Sequence, residues 1–316
     1  MRERRCAVSV DLDEIHHYYR IHGLTEPPRT GANAHLAHPV YDIALERCFA
    51  FASELGIPLT LFVVAADLER PENVAILRRA LELGHEIGSH SKDHLYDLVR
   101  RSPAEQREQV EGALTLFERH LGIRPQGFRA PGYTVSDQLL RIVRDAGHSY
   151  DSSVFPCPPY YAAKAAALAL IKLRGRTSRS VLDDPRVLTA PTQPYRIGEP
   201  YTTPGEGIWE FPIQVTRGPR LPFIGTALTM AGRLGARALT ELVVGEPFVN
   251  LELHGIDFLD ERDSGVEGLR GYQPDVKVRW GEKSRTIGSV VKRVQGATSV
   301  FTTLEQWTSR GSAAAS

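Results

Sequence analysis

Short apolar runs alternate with longer stretches of helical periodicity along most of the chain. Residues 6–10 are apolar and β-branched and run directly into acidic residues, as a buried strand does when it delivers polar side chains at its C-terminal end. Residues 43–55 carry apolar positions at helical spacing, closed by Gly56 and Pro58. The unit then repeats, with a strand over 59–64, a helix over 72–83 stopped by Gly84, and a strand over 86–89 leading into His90. Ser102 and Glu105 form a capping box, with Pro103 at the first helical position, for a helix reaching 121. Residues 127–129 predict a short strand, Ser136 caps a helix to 146, and 150–153 opens another strand. This alternation predicts a parallel sheet with helices outside it, either a barrel or a doubly wound sheet; the barrel is favoured.

The alternation breaks between 157 and 206. Pro156, Pro158 and Pro159 precede an Ala-rich, helix-prone stretch over 162–173 and then a basic, proline-punctuated segment. Strands are expected again over 209–215 and 249–253, then a helix over 286–294 and a last strand over 299–302. The expectation is one elaborated domain over 1–316 with an irregular insertion at about 157–206, and no internal repeat.

Composition changes the picture mainly by exclusion. With 38 basic and 38 acidic side chains the net charge is zero, which sets aside a nucleic-acid binder steered by a positive field. Cys6, Cys48 and Cys157 are odd in number and lack ligand spacing, so they are expected to be buried thiols. Residues 1–10 pass from a basic cluster into a strand without the apolar stretch of a signal peptide, and no run of about 18 apolar residues occurs. A cytoplasmic location is the expectation.

Four well-separated segments place polar residues at the C-terminal ends of expected strands, where α/β sheets build their sites. In the first, Asp11 and Asp13 stand two apart and point the same way if the strand continues through them. In the second, His90 and His94 are four apart and converge on one ion if His90 leaves the strand and His94 begins a helical turn. One carboxylate and two neutral imidazoles make a facial ligand set that leaves positions open for water and substrate. Alone, such an aspartate is usually a cap and such histidines usually lie at the surface; the combination is what points to a metal. The third segment, Gly127-Phe128-Arg129-Ala130-Pro131-Gly132-Tyr133, offers an arginine able to pair with Asp11 and a turn able to present an amide to an oxyanion. Otherwise it is a Pro-Gly turn beside a solvated arginine. The fourth, Leu251-Glu252-Leu253-His254-Gly255, brings a histidine into the same layer, as a general acid or as a satisfied core residue.

The ordered set Val10-Asp11-x-Asp13, His90-x-x-x-His94, Arg129-x-Pro131 and Leu251-x-Leu253-His254 resembles the polysaccharide deacetylases, the NodB-homology or carbohydrate esterase family 4 proteins, over most of the chain. The resemblance implies a deformed (β/α)7 barrel and a divalent metal, usually zinc, held by Asp13, His90 and His94. It implies Asp11 as catalytic base, Arg129 as the residue that holds it and His254 as general acid. Gly132 takes the place of an oxyanion-hole amide, and Asp151 that of a group tuning the acid. Two features depart from the family pattern. Leu12 separates the aspartates, as in the cytoplasmic Asp-x-Asp branch, and no tryptophan follows Asp151, which leaves the pocket wall to Phe155 or Trp209.

Residues 150–156 and Trp209-Glu210-Phe211-Pro212 look more like deacetylases of bacterial exopolysaccharide and envelope-glycan pathways than secreted chitin or peptidoglycan enzymes. The expected activity is removal of an N-acetyl group from an amino sugar. A cyclic imide or ureide hydrolase, or a sugar deformylase, is the alternative on the same fold. A non-catalytic binding module is a third reading, against which both proton carriers, Asp11 and His254, argue. Residues 162–176 combine Ala and Leu with Lys164, Lys172, Arg174 and Arg176, and 221–234 is mostly apolar. A core helix and a packed loop are the simpler reading; the sharper one is a pair of elements covering the site that accept a lipid-linked sugar in peripheral contact with a membrane.

Overall fold

In a computed structural model, which describes residues 4–25, 38–297 and 300–313, a nine-stranded sheet gathers the predicted strands. The strands are β1 (Arg5–Asp11), β2 (Thr60–Val63), β3 (Glu86–Ser89), β4 (Gly127–Phe128), β5 (Tyr150–Asp151), β6 (Tyr195–Ile197), β7 (Pro204–Glu210), β8 (Phe248–His254) and β9 (Val300–Phe301). Their order is β6-β7-β5-β4-β3-β2-β1-β8. All pairs are parallel except β6 with β7. β8 pairs with β1 along its whole length, so β2 and β9 share the other edge, β9 at Arg5 and Cys6 and β2 from Ser9 onward. From β5 back to β1 the neighbours run in sequence order with no reversal in mid-sheet, which is the winding of a barrel rather than of a doubly wound sheet.

The helices are α1 (Ile15–Ile21), α2 (Leu45–Leu55), α3 (Pro71–Glu82), α4 (Pro103–Leu121), α5 (Asp137–Asp145), α6 (Pro158–Leu173), α7 (Gly225–Glu241), α8 (Trp280–Gln295) and α9 (Leu304–Ala313). None of them is long and apolar enough to cross a membrane. Helix α2 buries Leu45, Cys48, Phe49, Ala52 and Leu55, one helical face, and Gly56 ends it in the left-handed conformation. The capping box at the start of α4 forms as predicted, with Ser102 Oγ accepting from the Glu105 amide and Glu105 accepting from the Ser102 amide. All three cysteines are free, buried thiols.

Differences from the sequence expectations follow from missing pattern. Strand β7 starts at Pro204, ahead of the apolar residues that signal it, because its first half is exposed and pairs only with β6. Residues 221–234 do not form a packed loop; most of them enter α7, which breaks at Gly232. Helix α6 is not a core helix, since Tyr161 is its one buried residue. Of the last strand expected, Ser299 lies outside the described residues, as do residues 1–3.

No regular ladder joins β7 to β8 among the described residues; Asn250 closes that seam instead. Its Nδ2 donates to the carbonyls of Phe211 (2.9 Å) and Pro212 (3.2 Å) and to Ser152 Oγ (3.1 Å). Its own amide and carbonyl pair with Gln214. A barrel closed by the side chains of Asn250, Gln214 and Gln193 and an isolated bridge of Ile224 with Glu252, in place of a ladder, is a deformed barrel, and the closure matters because β8 carries His254. Asn250→Leu should strand the Pro212 carbonyl, leave the Phe211 carbonyl with Ser152 Oγ alone, and lower unfolding free energy by about 2–4 kcal/mol in urea titrations. A loss below about 1 kcal/mol would show that the seam is held elsewhere.

Candidate active site

Strand β1 ends at Asp11, and the chain then turns so that Asp11 and Asp13 both approach His90 Nε2, Asp11 Oδ2 at 3.8 Å and Asp13 Oδ1 at 3.1 Å. β3 stops at Ser89 and releases His90. His94 arrives through a tight loop, not the expected helical turn, because Ser91 and His94 both adopt positive φ (63° and 53°). The loop is pinned on both sides. The amides of Ala65 and Ala66 donate to the carbonyls of Ser91 and Lys92, and Gln109 takes the amides of Lys92 and Asp93. His94 Nε2 lies 3.1 Å from Asp13 Oδ1 and 3.2 Å from His90 Nε2. Three ligand atoms thus form a nearly equilateral triangle, all on buried side chains.

This triangle fits a divalent cation. His90 Nδ1 donates to the Arg129 carbonyl at 2.7 Å, which fixes the tautomer and leaves the Nε2 lone pair facing the triangle. Asp13 Oδ1 is buried with no hydrogen-bond donor satisfying it, the state of an oxygen awaiting a metal rather than a structural cap. Burial alone would raise the Asp13 pKa, but His94 and His90 override it and hold the carboxylate well below its usual range.

Arg129, fully buried, sits behind the triangle. Its Nη1 donates to Asp11 Oδ1 (2.6 Å), its Nη2 to Ser9 Oγ (3.0 Å) and Ser152 Oγ (2.8 Å), and its Nε to the Ser152 carbonyl (2.7 Å). The guanidinium lies over the Phe62 ring, 4.1 Å from its centroid. Burial raises the Asp11 pKa above its ordinary value despite Arg129, which makes it a stronger proton acceptor while leaving Oδ2 toward the metal triangle.

On β8, alternation puts Asn250, Glu252 and His254 on the inner face. His254 Nδ1 lies 2.9 Å from Glu252 Oε1 and its Nε2 3.0 Å from the Tyr133 hydroxyl. Burial works against a charge on His254, but the Glu252 carboxylate overrides it and lifts the imidazole pKa well above its usual value. Asp11, Glu252 and His254 could in principle gather a second cation, but Arg129 already neutralises Asp11 and both ring nitrogens of His254 face partners.

Gly132 and Tyr133 are both left-handed (φ 64° and 60°), and a Cβ at 132 would meet Tyr96 Cδ1 at 3.0 Å, so the turn needs glycine there. Lys164 Nζ donates to the Gly132 carbonyl at 3.1 Å. A cavity of about 390 Å³ joins Asp11, Asp13, His90, Gly132 and His254, walled by Tyr18, Tyr96, Tyr133 and Tyr160 and flanked by α6 and α7.

Two expectations need correction. Asp151 does not reach the acid: its oxygens accept from Ser153 Oγ (2.8 Å) and the Ser153 amide (3.0 Å), while Ser153 Oγ accepts from the Ala130 amide. Asp151 therefore braces the Arg129–Gly132 turn, and the group on His254 is Glu252. Trp209 does not wall the site. It packs on Trp307 and Phe211 and borders a groove near Gln126 and Ser149, at the N-terminal strand ends, while Phe155 backs Tyr133 and Tyr160. Glu252 was readable as a same-face neighbour of His254 two residues away, and Lys164 lay on a stretch read as covering the site; Tyr96 carried no local signal.

Removing the Glu252 charge tests this pairing. Because Glu252 raises the His254 pKa, activity that needs protonated His254 persists at low pH and is lost as pH rises through that value. Glu252→Gln should move the alkaline fall of the kcat profile to lower pH without altering metal content; an unmoved alkaline limb would separate Glu252 from the acid.

The chain is similar to known proteins over part of its length. The model of the polysaccharide deacetylase family matches residues 44–150. A peptidoglycan-N-acetylglucosamine deacetylase from Bacillus cereus is 28% identical over 89 residues, 28% of this chain and 40% of that protein. A peptidoglycan deacetylase-like protein, FGM2, from Gibberella zeae is 32% identical over 74 residues, 23% of this chain and 22% of that protein. The chain spans less than half the length of either curated relative. In fold, it is similar to a crystal structure of a Mycobacterium smegmatis protein assigned as a polysaccharide deacetylase, with TM-score 0.53 and 18% identity over 94% of this chain and 93% of the other. With the motifs joined at one cavity of a deformed barrel, the chain is similar to the polysaccharide deacetylases over residues 44–150 and shares its fold with a structure of the NodB-homology type.

Proposed function

We propose that the chain is a metal-dependent hydrolase that removes an N-acetyl group from an amino sugar of a bacterial envelope glycan, exopolysaccharide or lipid-linked sugar. The observation that carries this reading is the convergence of Asp13, His90 and His94 on one point, with Asp11 on one flank and His254 on the same cavity.

An amide carbonyl is a poor electrophile and neutral water a poor nucleophile. A divalent ion, zinc if the family resemblance holds, would be held by Asp13, His90 and His94 and would supply Lewis acidity toward the carbonyl and acidify water. Asp11 takes the proton of the attacking water, held in place by Arg129 and made more basic by burial. The turn at Gly132 offers backbone dipoles to the tetrahedral oxyanion, an interaction worth ~3 kcal/mol for one donor. His254, kept protonated by Glu252, delivers its proton to the departing amine nitrogen, without which the intermediate returns to substrate. The cavity is lined by Tyr18, Tyr96, Tyr133 and Tyr160, aromatic side chains of the kind that pack on a sugar's apolar side.

Amine release from a panel of N-acetyl sugars, N-formyl sugars and cyclic imides tests the reading. Release from an acetyl sugar should vanish on chelation and return with zinc. Turnover that survives complete metal removal, or hydrolysis confined to cyclic imides, contradicts it. Asp11→Asn should keep its metal and lose about 10²–10⁴ in kcat, while His90→Ala should lose the metal, measured by atomic absorption on the same samples. Full activity in either variant removes the assigned role.

A further inference from the structure

A second cavity, of about 400 Å³, opens beside the metal centre, and one of its walls is His94 itself. Tyr96 borders both this cavity and the catalytic one. Its other polar walls are Arg20, Arg100, Arg101, Arg179 and Ser178, with Asp97 the one carboxylate among its lining residues. Asp97 is taken up by Arg101 at 2.8 Å. Arg100 and Arg179 are exposed and have no carboxylate partner among the described residues. With Arg101 taken up by Asp97 and Glu105, Arg100 and Arg179 leave an excess of positive charge on this concave surface. The planar guanidinium fork matches phosphate oxygens in pairs, which a neutral sugar does not require.

The basic lining continues outward. A neighbouring cavity of about 380 Å³ shares Arg100 and Ser178 and adds Lys172 and Arg176, with Leu168 and Leu182 alongside. On the inner side, Lys164 reaches the catalytic cavity from α6 and binds the Gly132 carbonyl. Positive groups therefore run from the oxyanion turn past Tyr96 to the outer surface.

We infer that the arginine cavity binds a phosphate group, so that the substrate is an N-acylamino sugar carried on a phosphate or diphosphate ester; this rests on the deacylase reading above. The sugar's amide lies at the metal triangle and its ester at Arg100 and Arg179. A phosphate ester on the sugar can come from a nucleotide or from a polyprenyl carrier, and both present the same oxygens to the arginines.

Calorimetric titration with inorganic pyrophosphate reads the cavity without turnover. The wild-type protein should bind it, and Arg100→Ala/Arg179→Ala should weaken binding by about tenfold or more. Both side chains are exposed, so the variant is expected to keep its fold, checked by its melting temperature. The charge-matched Arg78→Ala/Arg285→Ala, on α3 and α8, should bind as wild type does. No binding by the wild type, or equal losses in the two double variants, overturns the inference. Amine release is then compared for N-acetylglucosamine 1-phosphate, its uridine diphosphate and farnesyl diphosphate esters, and the neutral methyl glycoside. The phosphorylated sugars should have lower KM, a difference that Arg100→Ala/Arg179→Ala erases, and the better of the two esters identifies the source. Equal KM for neutral and phosphorylated sugars overturns the phosphate site and leaves the deacylase reading standing. Failure of all four sugars, together with the wider acyl panel, overturns the deacylase reading, while the pyrophosphate titration still judges the cavity.

Discussion

The buried guanidinium of Arg129 is the constraint on which the site depends. Removing a charge from water costs several kcal/mol unless it is paired and its hydrogen bonds are made, and Arg129 meets both conditions through Asp11, Ser9 and Ser152. Those partners come from β1 and the end of β5, so the cation ties together strands that are not neighbours in the sheet. Its backbone does a second job, because the Arg129 carbonyl takes the His90 Nδ1 proton and aims the other ring nitrogen at the metal triangle. Asp11 and His90, the proposed base and metal ligand, are thus oriented by two ends of one residue.

The barrel supports this arrangement at two further points. The Asn250 seam holds β8 against the end of β7, and the same strand carries Glu252 and His254 on its inner face. Asp151 and Ser153 brace the turn through Gly132 from below. Burial makes Asp11 more basic and the buried Glu252 carboxylate favours charged His254, which suits the opposite tasks proposed for the two groups.

Much of this was legible in the sequence wherever a short-range rule applied. Alternation of apolar runs with helical periods located β1 to β5 and α2 to α5, and the capping box at Ser102 marked the start of α4 to the residue. Asp13, His90 and His94 were identifiable as a group that meets at one point, although the loop conformation that joins the histidines was not, since left-handed Ser91 and His94 have no local signature. Asp151 was misplaced for a related reason. Its partner is set by how β5 ends and which face it presents, a tertiary matter, whereas Glu252 follows from strand alternation alone. Helix α7 and the exposed half of β7 escaped notice because one breaks at a glycine and the other buries too little apolar surface to leave a pattern.

Among the described residues, two candidate cation sites share no residue, and the proposed division of labour between them is the centre of the account: metal at Asp13, His90 and His94, proton traffic at Asp11, Glu252 and His254. Anomalous diffraction at the zinc edge from crystals grown with zinc distinguishes them directly. The account predicts a single peak about 2.0–2.2 Å from Asp13 Oδ1, His90 Nε2 and His94 Nε2. A peak among Asp11, Glu252 and His254 instead would contradict it.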